Sequence, residues 1–542
     1  MDILNVHNFS VSFKIDKYTT FQAVKKISFS IQAGEVLGLI GESGSGKSVA
    51  SQSVTRLLND ALVEGNVFFS HKETQINLTD CSRELLQEIR QREIAYIFQE
   101  PMTALNPLIQ CGKQILECAE DPSSEFLAEL LEKVELFDIA RINKSYPHEL
   151  SGGQRQRVMI AMALAKKPKL LIADEPTTAL DVAVQTEILQ LLRKLCKETS
   201  LSILFITHDL ISLKGFADRI AVMYNGELVE VGESNQILNQ PLHPYTKALI
   251  QSRATYDKKG TRLAEIDNLL EKVDGELHFK EPVIENVVDL SPEDNTILEA
   301  KDVYKSHFKS SLFKKHETKV LHAINFELKE GDSLGLIGES GSGKSTIAKI
   351  VLKIWDQTNG DILLNNNSLN SVKDLSKQIQ LVFQDPFSSL NPKHKIGHAI
   401  VEVLRSVNTT KPKERAISLL EEVGLLAADY EKYPHEFSGG QRQRICIAKA
   451  LAKKPKIIVL DEAVSALDVS VQAKILNLLN DLKKQNGLTY LLISHDMNVV
   501  SYFCNKAIVL KDGKIVEFGE TKQLITKPSS NYTRSLLEHS IN

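Results

Sequence analysis

Cysteine is scarce in this chain and never clustered along it. Cys81, Cys111, Cys118, Cys196, Cys446 and Cys504 are the only six among 542 residues, and none forms a C-x-x-C pair. That spacing offers no zinc or iron–sulfur motif and suits a reducing compartment. A basic excess is missing too. The formal net charge of −4 argues against a nucleic-acid binder, which carries a positive footprint. No uninterrupted apolar run approaches the ~20 residues needed to cross a bilayer. Work at a membrane is therefore expected to go through partners. The opening Met1-Asp-Ile-Leu-Asn-Val-His7 has no basic start and no apolar stretch, so no signal peptide is expected. Low-complexity tracts are absent as well.

What is present is a repeat. The string Gly41-Glu42-Ser43-Gly44-Ser45-Gly46-Lys47-Ser48 returns as Gly338-Glu339-Ser340-Gly341-Ser342-Gly343-Lys344-Ser345. Each copy is a phosphate-binding loop, G-x-x-x-x-G-K-[ST]. Its backbone N–H groups cradle phosphates, the lysine reaches the terminal phosphates, and the hydroxyl ligates Mg²⁺. Further landmarks recur. Ser151 and Ser438, Glu175 and Glu462, and His208 and His495 are each separated by 287 positions, whereas Gly41 and Gly338 are separated by 297. The first copy therefore carries extra residues before Gln99, around 59–92, as expected of a surface loop or hairpin. Units of 1–250 and 296–542 follow. The intervening 251–295 reads as a solvated acidic connector, with eleven Asp/Glu against five Lys/Arg over 257–294. Its short apolar pieces, Val283-Ile284 and Val287-Val288, leave room for local packing.

Each loop lies between a short apolar run and a stretch of helical spacing. Glu35–Ile40 and Asp332–Ile337 read as buried strands, as do Leu170–Ala173, Ile457–Leu460, Ile203–Ile206 and Tyr490–Ile493. Strands alternating with helices predict an α/β core with a parallel sheet. The acidic pairs Asp174-Glu175 and Asp461-Glu462 end two of these strands. A strand end opposite a phosphate loop is where a Mg²⁺ ligand is needed, which assigns Asp174 and Asp461. The adjacent glutamates, Glu175 and Glu462, are placed to polarise an attacking water. Ser151-Gly152-Gly153-Gln154 and Ser438-Gly439-Gly440-Gln441 describe serine-capped helix starts with open N–H groups, a second kind of anion site.

With these strings between a phosphate loop and an acidic strand end, the chain resembles the ATP-binding cassette ATPases over nearly its whole length. The resemblance implies an α/β fold of two tandem P-loop NTPase domains. Each would have a RecA-like parallel-sheet core, an antiparallel β subdomain and a helical subdomain. It implies ATP and Mg²⁺ as cofactors and ATP hydrolysis as the activity. Gln99 and Gln384 match the family's glutamine loop, which touches Mg²⁺ or the water. His208 and His495 match its switch histidine. Ala179-Leu-Asp181 and Ala466-Leu-Asp468 match its aspartate loop, and Phe13 and Phe308 stand where an adenine-stacking aromatic is expected. Metal contacts are thus expected from Ser48, Gln99, Asp174, Ser345, Gln384 and Asp461. The family also implies head-to-tail association, each ATP lying between one unit's phosphate loop and the other's signature.

The segments Phe98-Gln-Glu-Pro-Met-Thr-Ala-Leu-Asn-Pro107 and Phe383-Gln-Asp-Pro-Phe-Ser-Ser-Leu-Asn-Pro392 are similar to those of peptide and nickel importer ATPases, as are Tyr146-Pro-His-Glu149 and Tyr433-Pro-His-Glu436. His243-Pro-Tyr-Thr-Lys-Ala-Leu249 matches the start of that subfamily's C-terminal extension. This implies an energising subunit, one fused chain per transporter, peripheral on the cytoplasmic face of the inner membrane. Two permease subunits and a substrate-binding protein are the implied partners. A soluble tandem cassette acting on ribosomes or DNA is the alternative, which the acidic connector disfavours. No cysteine-rich stretch follows Leu249, so no iron–sulfur cluster is expected. Ala463 replaces the proline seen at Pro176 but leaves Asp461 and Glu462 in place, so both sites are expected to hydrolyse ATP. Met102, Leu105, Phe387 and Leu390 are apolar residues in loop-like stretches, implying a partner surface or a local core. The basic run from Lys305 to Lys319 reads as a solvated loop, and Trp355 as core.

Overall fold

The computed structural model describes residues 2–99, 104–178, 180–286, 294–311, 314–465 and 467–541. It divides into two compact units. The first holds Met1–Leu180, Val184–Gln251 and Ile266–Glu281, and the second holds Asp181–Ala183, Ser252–Glu265 and Pro282–Asn542.

In the first unit, a six-stranded sheet runs in the order Glu227–Glu233, Arg219–Tyr224, Val36–Ile40, Ser202–Thr207, Leu170–Asp174, Ile94–Ile97. All neighbours pair in parallel except the Glu227–Glu233 edge strand. The central strands Val36–Ile40, Leu170–Asp174 and Ser202–Thr207 are buried throughout. A strand covered on both faces must be apolar without alternation, and that is how these three read. A four-stranded antiparallel sheet, Thr20–Gln32, Asp2–Lys14, Leu62–His71, Thr74–Asn77, lies alongside. Its Leu4, Val6, Phe9 and Phe69 share one core with Leu37, Leu39, Leu170 and Ile206 of the larger sheet. Burial of this kind contributes ~25 cal/mol per Å² of apolar surface.

The second unit repeats the plan. Its larger sheet runs Ile379–Val382, Ile457–Asp461, Thr489–Ile493, Ser333–Ile337, Lys506–Lys511, Lys514–Glu520, and its antiparallel sheet holds Lys314–Lys329, Thr296–Ser311, Asn359–Leu364 and Asn367–Ser368. The extra residues of the first copy go into a longer hairpin, Leu62–His71 with Thr74–Asn77, and a longer helix, Arg83–Arg92 against Leu375–Gln378. The basic run is not a loop. It falls on the paired strands Thr296–Ser311 and Lys314–Lys329, whose register reaches Ser311 opposite Lys314.

The connector is more structured than its charge suggests. Ala254 and Leu263 are buried in the core of the second unit. The Asn477 side chain accepts from Leu263 N at 3.0 Å and donates to Leu263 O at 2.9 Å, and Arg262 Nη1 contacts both oxygens of Asp481 at 3.0 Å. Residues 266–281 instead form a short helix and the hairpin Leu270–Val273 with Glu276–Phe279. Directional bonds to a neighbouring helix outweigh a charge count that is neutral about location. Val283 and Ile284, offered by sequence as packing pieces, are exposed, while Val287 and Val288 lie outside the described residues. No helix among the described residues is long and apolar enough to cross a membrane.

Candidate functional site

Four adjacent parallel strands place the candidate chemistry of the first unit. Val36–Ile40 ends at the phosphate loop, Ser202–Thr207 at His208, Leu170–Asp174 at Glu175, and Ile94–Ile97 just before Gln99. In the second unit Ser333–Ile337, Thr489–Ile493, Ile457–Asp461 and Ile379–Val382 do the same for the loop, His495, Glu462 and Gln384. Residues far apart in sequence thus meet because the carboxyl ends of parallel strands share one edge, the usual ligand position in open α/β sheets.

The loop geometry depends on glycine at the helix start. Gly46 has φ of 100° and Gly343 of 109°, and a Cβ at Gly46 would lie 2.6 Å from the Ala23 carbonyl oxygen. The helices Lys47–Val54 and Lys344–Val351 follow. Lys47 Nζ donates to Gly41 O at 2.7 Å and Glu42 O at 2.9 Å, and Lys344 Nζ donates to Gly338 O and Glu339 O at 2.6 and 2.8 Å. Both ammonium groups are thereby curled against the loop. Burial lowers the Lys344 pKa, opposed by the carboxylates around it. Ser45 Oγ and Ser342 Oγ, at equivalent loop positions, are buried with no hydrogen-bond partner. An unmet hydroxyl within a glycine-rich loop that opens a helix fits a site that takes a phosphate.

Asp174 is held from two sides. Ser48 Oγ donates to Oδ1 and Tyr96 OH donates to Oδ2, each at 3.0 Å. Ser51 Oγ lies 2.9 Å from the same tyrosine hydroxyl. Burial raises the Asp174 pKa, partly offset by these donors. Burial together with the Asp174 charge pushes the Tyr96 hydroxyl up, so it remains a donor. Glu175 collects three partners on Oε2: Gln99 Nε2 at 3.0 Å, Thr178 Oγ1 at 3.0 Å and His208 Nδ1 at 3.2 Å. Burial pushes this carboxyl up, but the His208 hydrogen bond and charge, with Lys47 and Thr178, outweigh it and hold it at about 2. For His208, burial opposes protonation and the Glu175 contact overcomes it, so its pKa rises. In the second unit Gln384 Nε2 donates to Glu462 Oε2 at 2.7 Å and His495 Nδ1 lies 3.6 Å from it. The Glu462 pKa is again lowered: burial raises it and His495 and Lys344 prevail. Both glutamates have left-handed backbones, with φ of 47° at Glu175 and 48° at Glu462. A non-glycine residue there costs on the order of 1–3 kcal/mol and persists only where its surroundings over-determine it. The same strain in both units aims the two carboxylates alike.

Ser151 caps the helix Gly152–Leu164 and Ser438 caps Gly439–Leu451. Each serine oxygen accepts from the backbone N–H of Gln154 or Gln441, and each glutamine side chain accepts from the serine N–H. Phe13 is half-buried against the first unit's core, near the end of the Asp2–Lys14 strand. Phe308 is exposed on Thr296–Ser311. Leu105 and Leu390 are buried, so for these two the core reading holds over the partner surface. Met102 lies outside the described residues, as does the Phe387 side chain.

Sequence reasoning missed Tyr245 and Tyr532. Tyr245 OH accepts from Glu42 N at 3.2 Å and Tyr532 OH accepts from Glu339 N at 3.1 Å, so a tyrosine braces the second residue of each loop. Tyr245 stacks on Tyr224 with centroids 4.2 Å apart, and Lys511 Nζ lies 4.7 Å above the Tyr532 ring. The signal was available, since these tyrosines are also 287 positions apart. Tyr245→Phe and Tyr532→Phe are expected to weaken ATP binding by roughly 2–10-fold, up to the worth of one hydrogen bond, with a small fall in melting temperature because the bond is made without nucleotide too. Titration with a fluorescent ATP analogue checks this. Unchanged affinity in both variants would remove the tyrosines from the account.

Comparison with known proteins agrees with this geometry. Residues 24–178 and 321–465 match the family described as ABC transporter, and residues 229–275 match that described as Oligopeptide/dipeptide transporter, C-terminal region. The glutathione import ATP-binding protein GsiA of Escherichia coli O6:H1 (strain CFT073) is 41% identical over 99% of this chain and 89% of its own length. The protein of that name from Escherichia coli K12 is 40% identical over the same shares, and that from Shigella dysenteriae serotype 1 is 41% identical. Two phosphate loops on matching strand edges, two ABC transporter matches and this likeness to import ATPases along nearly the whole chain lead to one assignment: the chain belongs to the ABC transporter family, as a tandem ATP-binding, ATP-hydrolysing subunit of the importer kind.

Proposed function

We propose that this ATPase energises an importer for peptides or related small solutes, thiol peptides of the glutathione class among them, from the cytoplasmic face of the inner membrane. The observation that carries the reading is the convergence, in both units, of phosphate loop, histidine, acidic pair and glutamine on adjacent strand ends. Two permease subunits and a substrate-binding protein complete the transporter, and the 229–275 match to the oligopeptide/dipeptide transporter region supports that partnership.

At each site the loop amides 41–48 or 338–345 bind the ATP phosphates. Lys47 or Lys344 swings from its carbonyls to their terminal oxygens. The capped helix starts at 151–154 and 438–441 supply further phosphate contacts, and Phe13 and Phe308 stack on adenine. The oxygen donors Ser48, Gln99 and Asp174, with Ser345, Gln384 and Asp461 in the second unit, suit Mg²⁺, a hard cation. Bound Mg²⁺ neutralises charge developing on the phosphates. Glu175 and Glu462 accept a hydrogen bond from the water that attacks the γ-phosphorus, releasing ADP and phosphate. Their carboxylates stay ionised at neutral pH, because His208 or His495 holds the same oxygen. Those histidines then report the presence of the γ-phosphate.

The test is reconstitution with the permease subunits that co-purify with this chain. ATP-driven uptake of labelled glutathione, dipeptides and longer peptides into proteoliposomes is expected for at least one class. ATP turnover that ignores permeases, binding protein and every peptide would reject the importer reading.

A further inference from the structure

The two sites are not built alike around the strand-end aspartate. In the first unit a chain of hydroxyls runs from Ser51 through Tyr96 to Asp174, whose other oxygen faces Ser48. Tyr96 sits three residues before Gln99. Three residues before Gln384 the second unit has Leu381, half-buried against its core. Ser51 follows Lys47 by four positions, and Ala348 stands at that place after Lys344. Both hydroxyls of the chain are therefore replaced by hydrocarbon. Asp461 keeps its Ser345 partner, and Lys349, one position on, acts on it through charge. Lys349 Nζ lies 4.3 Å from the Trp355 ring centre, which holds that ammonium over an aromatic face.

We propose that Tyr96, anchored by Ser51, is a positioning residue that fixes the rotamer of Asp174 and makes the first unit the tighter divalent-cation site of the two. The inference rests on the reading of Asp174 and Asp461 as the metal-holding carboxylates. A ring hydroxyl on a strand next to the Asp174 strand cannot follow the carboxylate as it turns. The hydrogen bond therefore selects one orientation before any cation arrives. A carboxylate without that donor must be ordered upon binding. Partners that orient metal-binding groups typically matter by 10–100-fold in affinity. Tyr96→Phe removes one oxygen and retains the ring, which contacts Phe98 at 4.6 Å between centroids.

The test uses the full chain with both glutamates replaced, Glu175→Gln and Glu462→Gln, so that ATP is bound and not consumed. Mn²⁺ binding in saturating ATP is followed by the electron paramagnetic resonance signal of free Mn²⁺. The expected isotherm has two classes of site. Tyr96→Phe should weaken the tighter class about 10-fold and leave the other unmoved, and Ser51→Ala should move the same class in the same direction. Leu381→Tyr with Ala348→Ser should strengthen the weaker class. Melting temperatures and ATP affinity measured without divalent cation separate these effects from loss of fold. Asp174→Asn sorts the outcomes. If it leaves Mn²⁺ binding intact, the metal reading of Asp174 fails. If it abolishes the tighter class while Tyr96→Phe and Ser51→Ala change nothing, the positioning role is refuted. A single class of identical affinity in the parent chain refutes the asymmetry directly.

Discussion

ATP turnover should fall by ~10²–10⁴-fold when Glu175→Gln and Glu462→Gln are combined, the usual contribution of a positioned general base. Each substitution alone should also lower turnover in the assembled transporter. The reason is local. Oε2 of Glu175 is already committed to Gln99, Thr178 and His208, so the carboxylate is aimed and ionised before water arrives. Glu462 accepts from Gln384 Nε2 at 2.7 Å and lies 3.6 Å from His495 Nδ1. A glutamine amide fits the same space and the same left-handed backbone but presents a neutral group to the water. Nucleotide binding should survive, since neither glutamate belongs to the phosphate loop. If one single variant hydrolyses ATP at the parent rate, that site is not catalytic, whatever its resemblance to the other.

Loss of the loop lysines should strike binding itself. Lys47→Ala and Lys344→Ala are each expected to weaken ATP affinity at their own site by roughly 10–100-fold, from charged hydrogen bonds worth about 1.5–3 kcal/mol. Both lysines are almost fully buried, with the ammonium group resting on two carbonyls of its own loop. Removing either strips the loop of its one internal cation and leaves those carbonyls unmatched. Equilibrium binding of a labelled ATP analogue, with each lysine replaced in turn, should show one weakened class and one intact class. Two intact classes in either variant would show that the loop binds through its amides alone. The melting temperature of each variant without nucleotide guards against a collapsed loop.

Local strings made much of this legible. A phosphate loop is readable because its function is carried by backbone N–H groups, so glycine, lysine and serine at fixed offsets suffice. Apolar runs such as Leu170–Ala173 and Ile457–Leu460 identify buried strands because both faces are covered. The acidic pairs, the capped helix starts and the two histidines were placed on strand or helix ends by the same logic. One offset of 287 relates the acidic pairs, the capped helix starts and the histidines of the two copies.

Composition misled where contacts are directional. The stretch 252–265 looked like a solvated connector, yet Leu263 and Arg262 are tied to Asn477 and Asp481 more than 200 residues away. The basic run at Lys305 looked like a loop, yet pairing across Ser311 and Lys314 draws it into strands. Leu105 and Leu390 sit beside prolines in loop-like segments, and packing rather than sequence buried them.

By itself, then, the sequence determined the duplication, the α/β class and the candidate phosphate-binding strings, because those properties belong to short contiguous stretches. Tertiary structure decided which hydroxyl reaches which carboxylate. Tyr96 and Asp174 lie on neighbouring parallel strands 78 positions apart, and Tyr245 and Tyr532 reach back to loops about 200 positions earlier. A side-chain hydrogen bond needs ~3 Å and a favourable angle. Only the register of strands and the docking of helices set such distances, and with the same register in both halves the replacement of Tyr96 by Leu381 is what separates them.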